Sequence, residues 1–199
     1  KVPKTVYGPA VALGNGSVNT FISEDVNGNP TAVGVMLTDK VLENLPDQMV
    51  NYSLELPEGG ATDFYTHVLL DWNPAGHEPP GVYDLPHFDL HFYIIPSAER
   101  EAIGPAVMEA FAHAPDNMYV PTDYFLTEGG VPQMGAHWLD SKAPELAGET
   151  FTNTFIWGSY DGEFIFWEPM ITRDYLLEKP DDEVNLKLPG AYQKEGWYA

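Results

Sequence analysis

The sequence predicts a mainly β protein, a jelly-roll-type barrel or sandwich with one or two short helices. Three observations point there. Gly and Pro, 18 of each, punctuate the 199-residue chain every few residues, so the segments between them are short. Many of those segments alternate: Val50, Tyr52, Leu54 and Leu56 interleave with Asn51, Ser53 and Glu55, the period-2 pattern of a half-buried strand. Hydrophobic residues make up 44% and aromatics 13%, enough for a packed core. The length suits a single β-rich domain over residues 1–199, in which 1–45 could form a small N-terminal β-unit and 180–199 an extended tail.

The elements follow in order. Val18 to Ser23 and Thr31 to Leu37 read as strands joined by a turn at Val26-Asn27-Gly28-Asn29-Pro30, where Asn-Gly favours positive φ. Thr38 to Leu45 reads as a short helix with Thr38 as its N-cap and Pro46 as its stop. Strands are expected at Val50 to Leu56, Phe64 to Trp72 and His87 to Ile95. Ala98 to His113 is the one substantial helical candidate, and Gly104-Pro105 should kink or split it. Strands at Thr150 to Trp157 and Glu163 to Trp167 are joined by a hairpin loop, Gly158 to Gly162. Thr172 is placed to cap a short helix over Arg173 to Glu178.

Nine Lys and Arg face 30 Asp and Glu, a formal charge of −21. Such a surface repels phosphate backbones and anionic lipid, which argues against nucleic acid as a partner. No apolar run approaches the roughly 20 residues of a membrane helix, so membrane insertion is not expected. With no Cys, disulfides, thiolate metal sites and cysteine nucleophiles are excluded. A start at Lys1 fits a removed signal peptide and a trimmed cytosolic fragment equally, and the scarcity of Lys with the heavy Pro/Gly usage favours the first, a secreted or periplasmic protein.

The chemistry concentrates between Asp71 and Tyr93, DWNPAGHEPPGVYDLPHFDLHFY. His77, Glu78, Asp84, His87, Asp89 and His91 lie within this stretch. In an extended His87 to His91, the side chains of His87, Asp89 and His91 share one face, and Phe88, Leu90 and Phe92 share the other. Histidines four residues apart on a strand stand roughly 13 Å from each other, too far for one ion unless a bulge intervenes. His77 lies in a Pro/Gly loop, His137 in Met134-Gly135-Ala136-His137-Trp138, and Glu168 follows Phe164-Ile165-Phe166-Trp167. Histidines from separate segments with one carboxylate are a way for a β scaffold to build a divalent site. His77, His87, His91, His137 and Glu168 are therefore the candidate ligands. The cofactor class is a divalent transition metal, Zn, Cu, Fe or Mn. Asp89 is expected to orient an imidazole, and Glu78 to act as ligand, general base or loop cap, with general base the catalytic candidate. The competing reading makes any of these histidines a core residue satisfied by hydrogen bonds; for His67 and His113 that reading is preferred.

Other chemistries lack their signatures. There is no G-x-S-x-G elbow and no G-x-x-x-x-G-K-[ST] loop. His77-Glu78 is followed by two prolines, which cannot continue an H-E-x-x-H helix, and no carboxylate pair stands out for glycoside hydrolysis. Trp138, Trp157, Trp167 and Trp197 could form a sugar platform, although tryptophans more often pack cores or interfaces. The expected ligand is a small molecule or a carbohydrate. The alternative function is a non-enzymatic, homo-oligomeric envelope or binding protein with structural histidines.

The stretch G-H-E-P-P-G-V-Y-D-x-P-H-F-D-x-H-F-Y, Gly76 to Tyr93, resembles a family of exported bacterial proteins of unknown function. Val131-Pro132-x-Met134-Gly135-x-His137-Trp138 and Gly158 to Gly162 through Phe166-x-Glu168-Pro169-Met170 resemble it too, in the same order, so the likeness spans roughly residues 8–199. It implies a β-rich fold and a homo-oligomer, and no established reaction. A looser, cupin-like resemblance rests on histidines and a glutamate in a small β-barrel. Cupins use H-x-H with a following Glu, whereas this chain has H-x-x-x-H with Glu168 near the end.

High acidity often reflects solvation in salty surroundings. Thermal denaturation across an ionic-strength series should place the stability optimum at high salt; full stability at low salt would remove that explanation.

Overall fold

The computed structural model describes residues 2–59 and 64–198. Two antiparallel sheets dominate. In the smaller one, β3 (Gly16–Glu24) is central. β1 (Lys4–Tyr7) and β2 (Val11–Leu13) pair along one side of it and β4 (Pro30–Leu37) along the other. The larger sheet contains β5 (Val50–Glu55), β6 (His67–Asn73), β7 (His87–Tyr93), β8 (Tyr124–Leu126), β9 (Ala136–Asp140), β10 (Asn153–Tyr160) and β11 (Glu163–Thr172). Their spatial order is β5-β6-β7-β11-β10-β9-β8.

The protein is mainly β, as the alternation predicts, but its sheets do not close into a barrel. β5 and β8 end the larger sheet on opposite sides, and neither pairs with the other. The long stretch between β7 and β8 carries α1 (Ser97–Glu101) and α2 (Met108–Ala112) and returns the chain to the far edge, leaving β11 to pair directly with β7.

Local chemistry explains the elements. Gly104-Pro105 separates α1 from α2, because proline has no N–H to donate and disfavours a helical residue before it. Thr172 caps α3 (Arg173–Leu177), its Oγ1 accepting from Tyr175 N at 3.3 Å. Residues 38–45 shorten to one 3-10 turn, Asp39–Leu42. Thr38 makes no cap there, and its Oγ1 accepts from Ser17 N instead. β10 and β11 meet across Asp161 and Gly162, both at positive φ, a backbone that matches the twist of the flanking strands. β11 runs five residues beyond Trp167, through Pro169 to Thr172.

The larger sheet is covered on both faces. On one face Val68, Leu70, Trp72, Phe88, Leu90, Phe92, Trp138, Trp157 and Trp167 form a core shared with Leu13, Val18 and Val41 from the N-terminal part of the chain. Thr20 Oγ1 also donates to the Glu55 carbonyl, joining β3 to β5. Three of the four tryptophans considered as a sugar platform lie in this core, Trp157 at 0% exposure; only Trp197 is exposed. On the opposite face Tyr83, Tyr93, Ile103, Phe111, Phe151, Ile156, Phe166 and Met170 pack together. All seven residues of β6 and all seven of β7 are buried.

Trp157 fills the centre of the first core. Trp157→Ala should cost about 3–5 kcal/mol, read as a fall in the urea midpoint at unchanged slope; a loss below 1 kcal/mol would show that this face is loosely packed.

Candidate metal centre

The second face of the larger sheet is hydrophobic at its margins and ionisable at its centre. The β6–β7 register sets Asp71 opposite Asp89, Asn73 opposite His87 and Leu69 opposite His91. Since side chains alternate along a strand, His87, Asp89 and His91 share this face while Phe88, Leu90 and Phe92 enter the first core. β11 lies on the other side of β7. Its pairs Trp167–Phe92 and Met170–Asp89 share one register, which brings Glu168 level with His91. β9 supplies His137, opposite Gly158 of β10. A Cβ on Gly158 would stand 2.2 Å from the Phe166 ring, so only glycine allows β10 to pass there.

The five candidate ligands form two groups. His77, His87 and Asp89 make one; His91, His137 and Glu168 make the other. Within each, one donor atom per residue lies within 4.8 Å of the others. Sequence spacing forbids one ion from serving both His87 and His91, and the structure gives each histidine its own partners without a bulge in β7. Both groups have two imidazoles and one carboxylate, a donor set used by catalytic zinc and by non-haem iron.

In the first group His77 Nε2 lies 3.3 Å from Asp89 Oδ2, and His87 Nε2 lies 3.1 Å from Asp89 Oδ1. Asn73 Nδ2 donates to Asp89 Oδ2 at 2.7 Å. The far sides of both rings are fixed by backbone. His77 Nδ1 meets the Glu78 carbonyl at 2.7 Å, and His87 Nδ1 meets the Leu85 carbonyl at 2.6 Å. A carbonyl only accepts, so each Nδ1 carries its hydrogen and each Nε2 is turned toward Asp89. The loop permits this through Gly76 at φ +71, where a Cβ would lie 2.0 Å from the Tyr83 carbonyl. His77 N then donates to that same carbonyl.

In the second group His91 Nε2 lies 3.4 Å from Glu168 Oε1, and His137 Nε2 lies 3.6 Å from Glu168 Oε2. On the other edge of His91, Nδ1 is 3.4 Å from Asp71 Oδ2. Asp71 is a member of this face that the histidine spacing did not single out. Its signal in the sequence is a carboxylate inside the otherwise apolar run Val68-Leu69-Leu70-Asp71-Trp72.

Burial dominates the electrostatics. It pushes the Asp71 carboxyl up to about 7, with the Asp89 charge adding to the effect. It raises Glu168 well above the usual carboxyl range, again with help from Asp89 and Asp71. It lowers His91 to about 3, aided by His137, and His137 to about 4. Burial also works against the Asp89 carboxylate, but the His77 and His87 imidazoles outweigh it and hold that carboxyl below its usual range. The His77 imidazolium is likewise disfavoured by burial and rescued by Asp89, so its pKa is raised.

Glu78 lies outside both groups. Its side chain is exposed, and its contribution to the geometry is the carbonyl that orients His77. His67 and His113 also stand apart. His113 Nδ1 pairs with Asp161 at 2.9 Å on the surface. His67 is buried, accepts from Arg100 Nε at Nε2, and meets Thr66 Oγ1 at Nδ1.

Burial, then the Arg100 charge, lower His67 from 6.5 to about 4. The unfolded chain therefore takes up this proton at higher pH than the folded one. The stability contributed by neutral His67 is present above pH 6.5 and is lost as pH falls toward 4. Urea midpoints should drop across that window. His67→Gln should show a shallower drop than the parent; an identical slope would exclude His67 as a source of it.

A family model described as TTHB210-like, hypothetical protein TTHB210, matches residues 25–72. No curated protein and no solved structure matches the chain. The matched span runs from the β3–β4 turn through β6 to Trp72, including Asp71 but stopping before the Gly76 to Tyr93 stretch. The chain is thus similar, over that span, to a family of unknown function.

Proposed function

We propose that this protein binds divalent transition-metal ions on the buried, ionisable face of its larger sheet. The spacing of the acceptor atoms carries the reading. Ligands about 2.0–2.1 Å from a tetrahedral ion stand about 3.3 Å from one another, and the four imidazole–carboxylate separations within the two groups run from 3.1 to 3.6 Å. His87 Nε2, Asp89 Oδ1, His91 Nε2 and Glu168 Oε2 are buried without a hydrogen-bond partner among the described residues. Buried polar atoms are costly unless something satisfies them, and a cation held within a group satisfies that group's pair.

The donor set is nitrogen and oxygen only, which suits Zn, Fe, Mn or Cu. A bound ion of this kind supplies a Lewis acid and acidifies a coordinated water. The chain's own residues hold it, fix each imidazole tautomer and exclude bulk solvent. His77, with 34% of its side chain exposed, marks the side from which a small molecule or carbohydrate would approach. Glu78, exposed on the same loop, is the candidate general base of a metal-dependent enzyme there. Low Lys content and heavy Pro/Gly usage support a secreted or periplasmic setting. The second reading, a homo-oligomeric binding protein with structural histidines, draws on the His77–Asp89 pair, which would then be a plain imidazolium–carboxylate contact.

Elemental analysis of protein purified without chelator or histidine tag decides between them. Stoichiometric transition metal is expected, and less than a few tenths of an equivalent would overturn the metal reading. Glu168→Gln should weaken metal binding in the second group at least 100-fold. Excess metal at about 100 times its Kd should stabilise the parent by about 2.7 kcal/mol, measured as a rise in Tm that the variant shows only in part.

A further inference from the structure

We infer that the two groups hold two ions at once, so that each chain carries a two-metal face with His77, His87 and Asp89 at one end and His91, His137 and Glu168 at the other. This rests on the metal reading above and goes beyond it in number and in charge.

Each group is complete in itself. Each draws on at least two segments: the 74–86 loop with β7 in the first, and β7, β9 and β11 in the second. Each has buried acceptors without a hydrogen-bond partner among the described residues, His87 Nε2 and Asp89 Oδ1 in one, His91 Nε2 and Glu168 Oε2 in the other. One ion could quiet only one end. The backbone carbonyls of Glu78 and Leu85 orient the first group's rings as fully as any arrangement in the second, and such outer contacts are what fix the donor atom of a metal-binding histidine.

Charge admits the second ion. Asp71, Asp89 and Glu168 are 2%, 5% and 2% exposed. Arg100 is engaged with His67, the Gln133 carbonyl and Glu101. In the deprotonated state that metal binding requires, three carboxylates and four imidazoles carry three negative charges, so one divalent ion leaves the face negative by one charge. Two leave it positive by one, which a single hydroxide or an anionic oxygen of a ligand would balance. Asp71 belongs to this account: both its oxygens lack a hydrogen-bond partner among the described residues, and it lies between the groups, across from Asp89 and beside His91.

The test is a stoichiometric titration of the full chain, stripped by chelator and refilled with Co²⁺ or Zn²⁺, read by calorimetry and by metal content after desalting. Two equivalents per chain are expected for the parent. His87→Ala and Glu168→Gln should each retain one, each losing a different one, so that the double variant retains none. His77→Ala, on the exposed loop, serves in place of His87→Ala if the latter does not fold by near-UV circular dichroism. A parent that saturates at one equivalent overturns the inference and leaves the metal reading standing. Variants that keep both equivalents overturn it as well, because the second ion would then lie elsewhere. A parent that binds none removes both.

Discussion

An ionisable surface buried under protein is tolerated only when its polar atoms find partners, and β6 and β7 impose that condition on everything around them. Antiparallel sheets usually leave one face to solvent. Here both faces of these two strands are covered, and the second bears three carboxylates and a row of imidazoles. Asn73 answers one oxygen of Asp89. The remaining acceptors face one another. Two lone-pair atoms about 3 Å apart repel unless a proton or a metal lies between them, so the face is organised around protons or cations shared between these atoms.

The topology meets this condition by direct adjacency. Because β11 inserts beside β7, Glu168 arrives level with His91, and two further strands bring His137 to the same side. Pro169 has no N–H to donate, and on the β7 side the pairing is interrupted at Glu168 and Pro169 before resuming at Met170, while both stay paired with β10. Tyr83 and Phe151 roof the first group, with His77 and His87 rings packed at their edges. Those aromatics raise the cost of an unpaired charge beneath them and equally strengthen any ion–ligand contact made there.

Much of this is legible in the sequence, because period-2 patterning states which residues share a face. It placed His87, Asp89 and His91 together, and the rise per residue separated the two histidines beyond the reach of one ion. What it could not state is how strands distant in sequence lie side by side. Glu168 next to His91 depends on β11 pairing with β7, and no local signal encodes a non-consecutive pairing. Patterning leaves barrel and sandwich open for the same reason: strand count and alternation are alike in closed and open sheets, and closure is a property of the edges. Histidine spacing does not point to Asp71, whereas a lone carboxylate in the apolar run Val68-Leu69-Leu70-Asp71-Trp72 is itself a statement that something must compensate it. Short elements such as β2 and β8, three residues each, exist through pairing and carry little pattern of their own.

Metal binding on this face would be inseparable from the stability of the larger sheet. The ligands span residues 77 to 168 and come from a loop and three strands, so an unfolded chain cannot present them together, and an ion that binds only the folded arrangement adds its binding free energy to folding. The contributions differ by position. The second group ties β7 to β11 and β9, strands already joined through the ladders. The first group ties β7 to the 74–86 loop, which is also held by the Tyr83 core contacts, the Tyr83–Glu145 hydrogen bond and the Arg173 N–H donated to the Pro86 carbonyl. An ion there would therefore do more for local order than for global stability, and its loss would open the site from the His77 side while the sheet beneath stayed intact.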